Sequence, residues 1–263
     1  MILYLSCTGN TLWAAQEAAE RLGERLVNMA SLTEDQPILT LQEGERLGFC
    51  FPVHGWRPPK LMRLLLQKVT FQFPSTPYVW ALCTAGDNIG ETMRLLDDDL
   101  KPHGLSLSAA CSLIMPESYI GLPFMDVDTP EREAQKKSVA AALLHQFLYY
   151  INKNKRVWNL VEGHWPRLNS RLLGSYFLHR LITDKRFRVD ADKCTRCGVC
   201  AKVCPVDNIE FSKGELPQWR HTDRCLTCFA CYHHCAKRAI EFGRFTKGKG
   251  QYYFDRSSSK SHS

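Results

Sequence analysis

CTRCGVCAKVCP (residues 194–205) and CLTCFACYHHCA (residues 225–236) decide how this 263-residue chain is organised. In each stretch the cysteines follow the spacing C-x2-C-x2-C-x3-C, and the second set repeats the first with an offset of 31 residues. The repetition runs beyond the thiols: Asp192 maps to Asp223, Lys193 to Arg224, and Ile209-Glu210-Phe211 to Ile240-Glu241-Phe242. Each unit is therefore expected to be a short strand, a ligand loop and another short strand, with the two units packed as a pseudo-twofold pair. Three thiolates at this spacing grip one face of a cuboidal iron–sulfur cluster, and the fourth, a turn later, reaches the neighbouring cluster. That rule predicts one 4Fe-4S cluster on Cys194, Cys197, Cys200 and Cys235, and a second on Cys225, Cys228, Cys231 and Cys204, carrying low-potential electrons. Structural zinc is the alternative, but four-cysteine zinc sites are typically built from two separated pairs rather than a triplet with a trailing fourth.

Residues 192–242 resemble the two-cluster bacterial-type ferredoxins, and Pro205 after Cys204 belongs to that likeness. The chain departs from the family at Ala236, where a proline usually follows the last cysteine, which bears on the turn beside the first cluster but not on its ligation. The chain has twelve cysteines, and the four outside the repeat, Cys7, Cys50, Cys83 and Cys111, are scattered and read as ordinary buried thiols. Residues 1–6 lack the basic region of a secretory signal and are too short for its apolar one, so a cytoplasmic location, with thiolate ligands instead of disulfides, is expected. The longest apolar run, residues 138–151, contains His145 and Gln146 and is too short for a membrane span.

The other end of the chain carries a different pattern. A short apolar run at 2–5 leads into Ser6-Cys7-Thr8-Gly9-Asn10-Thr11, and a helical pattern rich in alanine and glutamate follows over 12–22. Hydroxyl and amide side chains with a glycine at the start of a helix can surround a phosphate monoester, because the first helical N–H groups and the helix dipole both favour an anion. Further strands are expected at 25–28, 46–53, 78–84 and 105–115, with helices at 58–69, 89–102 and 130–152 between and after them. This alternation predicts an α/β fold: an open, doubly wound sheet of five parallel strands covered on both faces, with ligands at the carboxyl ends of its strands. No Walker lysine motif and no G-x-G-x-x-G fingerprint is present.

Residues 1–152 resemble the flavodoxin-like FMN domains, whose phosphate loop follows the first strand and reads Ser/Thr-x-Thr-Gly-x-Thr/Ser. The resemblance implies strand order 2-1-3-4-5 and FMN as cofactor. Its phosphate would bind Ser6, Thr8, Asn10 and Thr11, with backbone help from Cys7 and Gly9. Pro52-Val53-His54-Gly55-Trp56 and Thr84-Ala85-Gly86-Asp87-Asn88 would frame the isoalloxazine, with Trp56 stacked on the ring. His54 and Tyr119 are further candidates for the lining, although a hydrogen-bonded loop histidine and a partly buried loop tryptophan are the plainer accounts of His54 and Trp56.

Residues 153–188 carry nine Lys/Arg and two Asp/Glu, with Trp158, Trp165, Tyr176 and Phe177 interleaved and Leu168, Leu172, Leu173 and Leu181 at helical spacing. They read as a basic linker helix with its apolar side packed and its charges outward, suited to docking an acidic redox partner more than nucleic acid or membrane. The ferredoxin-type unit is placed at 189–247 and a tail at 248–263, disordered from Arg256 onward. Charge is uneven, with 12 Lys/Arg against 17 Asp/Glu in residues 1–150 and 22 against 10 in 151–263. Clusters at about −2 each and a flavin phosphate would offset much of that basic excess.

Taken together, the chain resembles the flavodoxin–ferredoxin fusion proteins of anaerobes. The resemblance implies electron transfer between two 4Fe-4S clusters, FMN and a redox partner protein. The alternative is an FMN-dependent reductase of a small molecule, with His54, Tyr119 or Asp87 assisting proton transfer; a redox sensor acting through the basic segment is a third reading.

Overall fold

In the computed structural model, which describes residues 1–32 and 35–256, strands and helices alternate through the first 160 residues. The strands are β1 (Ile2–Tyr4), β2 (Leu26–Asn28), β3 (Ile38–Thr40), β4 (Leu47–Pro52), β5 (Thr70–Gln72), β6 (Val79–Ala85), β7 (Ala109–Ile114) and β8 (Val157–Asn159). The helices are α1 (Asn10–Leu22), α2 (Lys60–Lys68), α3 (Thr92–Leu100) and α4 (Pro130–Asn152). Six strands form one sheet in the order β2-β1-β4-β6-β7-β8, every pairing parallel, while β3 and β5 make a separate parallel pair at its side.

The strand period of two sorts side chains onto two cores. Phe49, Phe51, Ala81 and Cys83 face α2 and α3 together with Met62, Leu65, Met93 and Leu96. Cys50, Trp80, Leu82 and Cys111 face α1 and α4. A sheet covered on both sides needs near-continuous apolar strands, and LGFCFP and VWALCTA supply them. In α1 the small residues Ala14, Ala15 and Ala18 lie on the sheet, and in α4 Leu144, Phe147, Leu148 and Ile151 form a single apolar stripe. Gly48 is required by close packing, since a Cβ there would stand 2.4 Å from the Trp80 ring. Burial pushes the Cys50 and Cys83 thiols far up and Cys111 up to about 12, so these three are inert core residues.

Two expectations are corrected here. The sheet has six strands, not five, because β8 adds to β7 with Ala109 opposite Val157; a boundary at residue 152 therefore cuts through the sheet unit. Nor is 153–188 a linker. Residues 166–181 wind as one helical segment that includes two wider π-type stretches, Asn169–Leu173 and Phe177–Leu181. Ser170 Oγ donates to the Trp56 carbonyl at 2.8 Å and accepts from the Glu91 N–H at 2.8 Å, and Arg171 pairs with the buried Glu91 carboxylate at 2.8 Å. The expected packing holds only in part: Arg171 stays largely exposed while reaching the buried Glu91, but Trp165, Leu172 and Tyr176 are also 76, 62 and 60% exposed.

The C-terminal unit carries the 31-residue repeat into its backbone. Strands β9 (Phe187–Val189) and β12 (Ile240–Phe242) pair antiparallel, as do β10 (Ile209–Glu210) and β11 (Gln218–Trp219), so each repeat lends one strand to each pair. The short helices Val199–Lys202 and Ala230–His233 are one repeat apart, as are the left-handed residues Arg196 and Thr227, Gly198 and Phe229, and Asp207 and Arg238. The unit does not stand apart: Val206 and Leu226 join the α2/α3 core of the sheet unit, and Ile120 joins the C-terminal core around Phe187, Phe229 and Phe242. Its first strand starts before residue 189, and residues beyond 247 are packed as far as Phe254, so both ends of the expected tail and unit shift. Of the residues expected to be disordered, only Arg256 lies within the described ones. Among the described residues no helix is long and apolar enough to cross a membrane.

Candidate functional site

A cavity of about 530 Å³ opens where β1, β4, β6 and β7 end, at the carboxyl edge of the sheet. Every residue singled out in the three loops and at Tyr119 lines it except Gly9: Ser6, Cys7, Thr8, Asn10 and Thr11; Pro52 to Trp56; Thr84 to Asn88. Other parts of the wall, not expected at this site from the sequence, include Leu122, Phe124 and Met125 after β7, Leu173, Tyr176 and Phe177 of the 166–181 helix, and Thr227 and Cys228 of the C-terminal unit.

The loop after β1 is built around Gly9, whose φ of 98° places the N-cap of α1 in the left-handed region that glycine tolerates. Ser6 Oγ accepts the Leu12 N–H at 3.1 Å, and the hydroxyls of Thr11 and Thr84 bond at 2.7 Å, which ties this loop to the end of β6. The Asn10 side chain is buried and donates to the Pro116 carbonyl at 3.1 Å. The first N–H groups of α1 have no partners within their own helix, so the loop can hold an anion.

Beyond it, His54 and Arg57 exchange backbone hydrogen bonds across a tight turn in which Gly55 and Trp56 both have positive φ, 56° and 58°. A bulky residue in that region is strained, a feature that gathers at binding sites. Gly55 also admits the 166–181 helix, because a Cβ there would meet the Phe177 ring at 2.6 Å. Burial pushes the His54 imidazole down to about 4, so it is neutral near pH 7. Tyr119 stands edge-on between Phe177 and Phe229, at 5.2 and 5.4 Å, and burial pushes its phenol up to about 12. Glu117, which spacing did not single out, also lines the cavity; burial raises its carboxyl although the Ser118 and Tyr119 N–H groups donate to it. Asn88 Oδ1 is buried with no hydrogen-bond partner among the described residues.

The eight repeat cysteines fall into two sets. Cys200 is raised to about 11 by burial and by its neighbours Cys235, Cys194 and Cys197; Cys225 is raised to about 12 by burial and by Cys228 and Cys204. Cys231, buried, adjoins Cys228, Cys225 and Cys204. Backbone N–H groups aim at three of the sulfurs, Asn208 at Cys204, Thr227 at Cys225 and Ala239 at Cys235, at 3.2 to 3.3 Å, as around thiolates that carry charge. Among the described residues no three His, Cys, Asp or Glu side chains converge as on one metal ion. The donor set suits thiolates spread over the corners of two clusters. The sets differ in depth. Cys204 and Cys228 pack against the sheet unit's core, whereas Cys197 is exposed.

Cys7 does not behave as a scattered core thiol. It is half-buried in the loop after β1 and neighbours Cys228, and this neighbour together with burial raises the Cys228 thiol well above its ordinary value. The cavity and the inner cysteine set therefore share a wall.

Residues 186–236 match the family model described as a 4Fe-4S dicluster domain. The chain is also similar to an uncharacterized protein of Methanocaldococcus jannaschii, 32% identical over 62 residues, which is 24% of this chain and 23% of that protein's length. The likeness thus spans about a quarter of each. Residues 186–236 thus form a 4Fe-4S dicluster domain, a type of domain whose clusters suit iron–sulfur electron transfer.

Proposed function

We propose that the chain is an electron-transfer iron–sulfur flavoprotein, with FMN in the cavity of a flavodoxin-like sheet unit and two clusters in the C-terminal unit. The observation that carries this reading is the Cys7–Cys228 contact. It puts a residue of the phosphate loop against a ligand of the inner cluster, so the two cofactor sites are neighbours within one chain. The central strand order β2-β1-β4-β6-β7 supports the flavodoxin-like assignment, with β8 as an added edge.

Each residue has a definite task on this reading. Ser6, Thr8 and Thr11 with the first N–H groups of α1 hold the phosphate, and the 54–57 turn and the 84–88 loop clasp the ring. The neutral His54 keeps a cation off that ring. The 166–181 helix and Tyr119 exclude water from the side facing Cys228. When bound, FMN supplies coupling between single-electron and paired-electron chemistry. The outer cluster set is where a partner would exchange electrons. Arg196, Lys202 and Lys237 are exposed within two residues of Cys197, Cys200 and Cys235, so the fitting partner is an acidic redox protein.

Anaerobic purification with iron, sulfide and flavin quantification, followed by reductive titration of both chromophores, tests the proposal. About eight irons and one FMN per chain, equilibrating together, is the expected result. Iron without flavin would remove it. One observation favours a second reading, a small-molecule reductase: Leu122, Phe124, Met125 and Tyr176 give the cavity an apolar rim that a phosphate loop does not need. Turnover of quinones or nitroaromatics at rates far above those of free FMN would decide for it.

A further inference from the structure

The chain after the last cluster cysteine returns to the sheet unit and crosses the loop that follows β1. Lys249 Nζ donates to the carbonyls of Ile120, Leu122 and Met125 at 3.0, 2.5 and 2.5 Å, anchoring the crossing. Gln251 Nε2 then donates to the carbonyls of Tyr232 and Cys235 at 2.7 and 2.8 Å, and the Tyr252 N–H donates to His233 Nδ1 at 3.1 Å. Within three residues the same strap reaches the loop: the Tyr252 hydroxyl donates to Asn10 Oδ1 at 2.5 Å, and the Phe254 N–H to the Thr8 carbonyl at 2.9 Å. The Phe254 ring stacks on Trp13 of α1 at 5.2 Å, and Lys137 donates to the Phe254 carbonyl at 2.9 Å.

We infer that residues 251–254 complete the phosphate site, with Tyr252 and Phe254 as positioning residues that make the loop selective for a phosphate monoester. The inference rests on the FMN reading above. An anion cradle needs N–H groups directed inward and its carbonyl dipoles otherwise engaged. The Thr8 carbonyl has its own donor in Phe254, and the Gly9 carbonyl has one in Trp13, 2.9 Å away. The Asn10 amide could present either its oxygen or its nitrogen. Tyr252 donates to the oxygen and the Pro116 carbonyl accepts one N–H, which together fix the amide's orientation and leave its second N–H without a partner in these bonds. Gly9 is demanded by the same arrangement, since a Cβ there would stand 2.8 Å from Phe254 Cβ.

If the strap served only to join the two units, its loss would weaken every flavin alike. If it orders the phosphate loop, the loss falls on the phosphate. The test is a fluorescence titration of the full chain, clusters intact and flavin removed, with FMN and with riboflavin, which lacks the phosphate. Tyr252→Phe should weaken FMN roughly three- to tenfold, the reach of one hydrogen bond, while riboflavin affinity stays within about twofold. Phe254→Leu should show the same selectivity and serves if the first variant folds poorly. Unchanged FMN affinity in both variants, or equal losses for both flavins, would overturn the inference. A wild-type chain that binds both flavins equally would instead remove the phosphate-loop reading on which it stands.

Discussion

Phe49, Phe51, Trp80 and their neighbours are buried in two cores beneath four helices, whereas the dicluster unit has a core of few side chains. Of these, Cys231 is one of the repeat cysteines and Ile120 is borrowed from the sheet unit. The sheet unit is held by apolar burial and would keep its shape without any cofactor. A unit as small as the second cannot bury enough surface to stand alone, so its fold leans on thiolate–metal bonds and on the neighbour it docks against. In this molecule the two kinds of stability meet where Val206 and Leu226 enter the sheet unit's core and where Cys7 lies beside Cys228.

The comparison is open to breaking at several points. Iron removal by a strong chelator should produce the largest effect: loss of protection from protease across residues 186–247, with the sheet unit still unfolding cooperatively at its own temperature. A single transition that loses both units together would refute the division. Next in size, Cys228→Ala should lower iron content by roughly half and leave helical circular dichroism of the sheet unit in place. Full iron content would strike Cys228 from the ligand set. On the other side, Leu144→Ala should cost the sheet unit about 2–5 kcal/mol in denaturant unfolding, with iron unchanged, because Leu144 is fully buried between α4 and the sheet.

Thr8→Ala combined with Thr11→Ala should weaken FMN binding by about 1–3 kcal/mol and leave the brown iron–sulfur absorbance; stoichiometric flavin after dialysis would sink the phosphate-loop assignment. The smallest effect is acid dependence. Burial opposes ionisation of Glu45, but the Gln42 N–H, the chain's amino terminus and Arg25 outweigh it and hold the carboxyl down at about 2 instead of its ordinary 4.5. Its contribution is present above pH 4.5 and is lost as pH falls toward 2, so Glu45→Gln should flatten the sheet unit's acid profile in that window. The group is partly exposed and solvent screens it, which limits the effect to no more than about 1 kcal/mol.

The amino-acid sequence by itself determined the local facts. Thiol spacing marked the dicluster domain, because its cysteines lie within a few residues of one another along each loop. Strand alternation marked five of the sheet's six strands, and the Ser6–Thr11 loop, the 52–56 and 84–88 loops and Tyr119 were all placed by following a strand to its end. Only the tertiary structure decided what crosses large sequence distances. The strand β8 has three residues and no alternation to announce it. The 166–181 helix shows the right periodicity, but which face is covered depends on Glu91 and Gly55, a hundred residues away by chain and in contact in space. Tyr252 meets Asn10 from 242 residues along the chain, and Cys7 reads as an ordinary thiol until Cys228 is beside it. Periodicity and spacing report on neighbours within a turn or a strand; contacts between distant segments follow from how whole faces pack, and no short pattern carries that information.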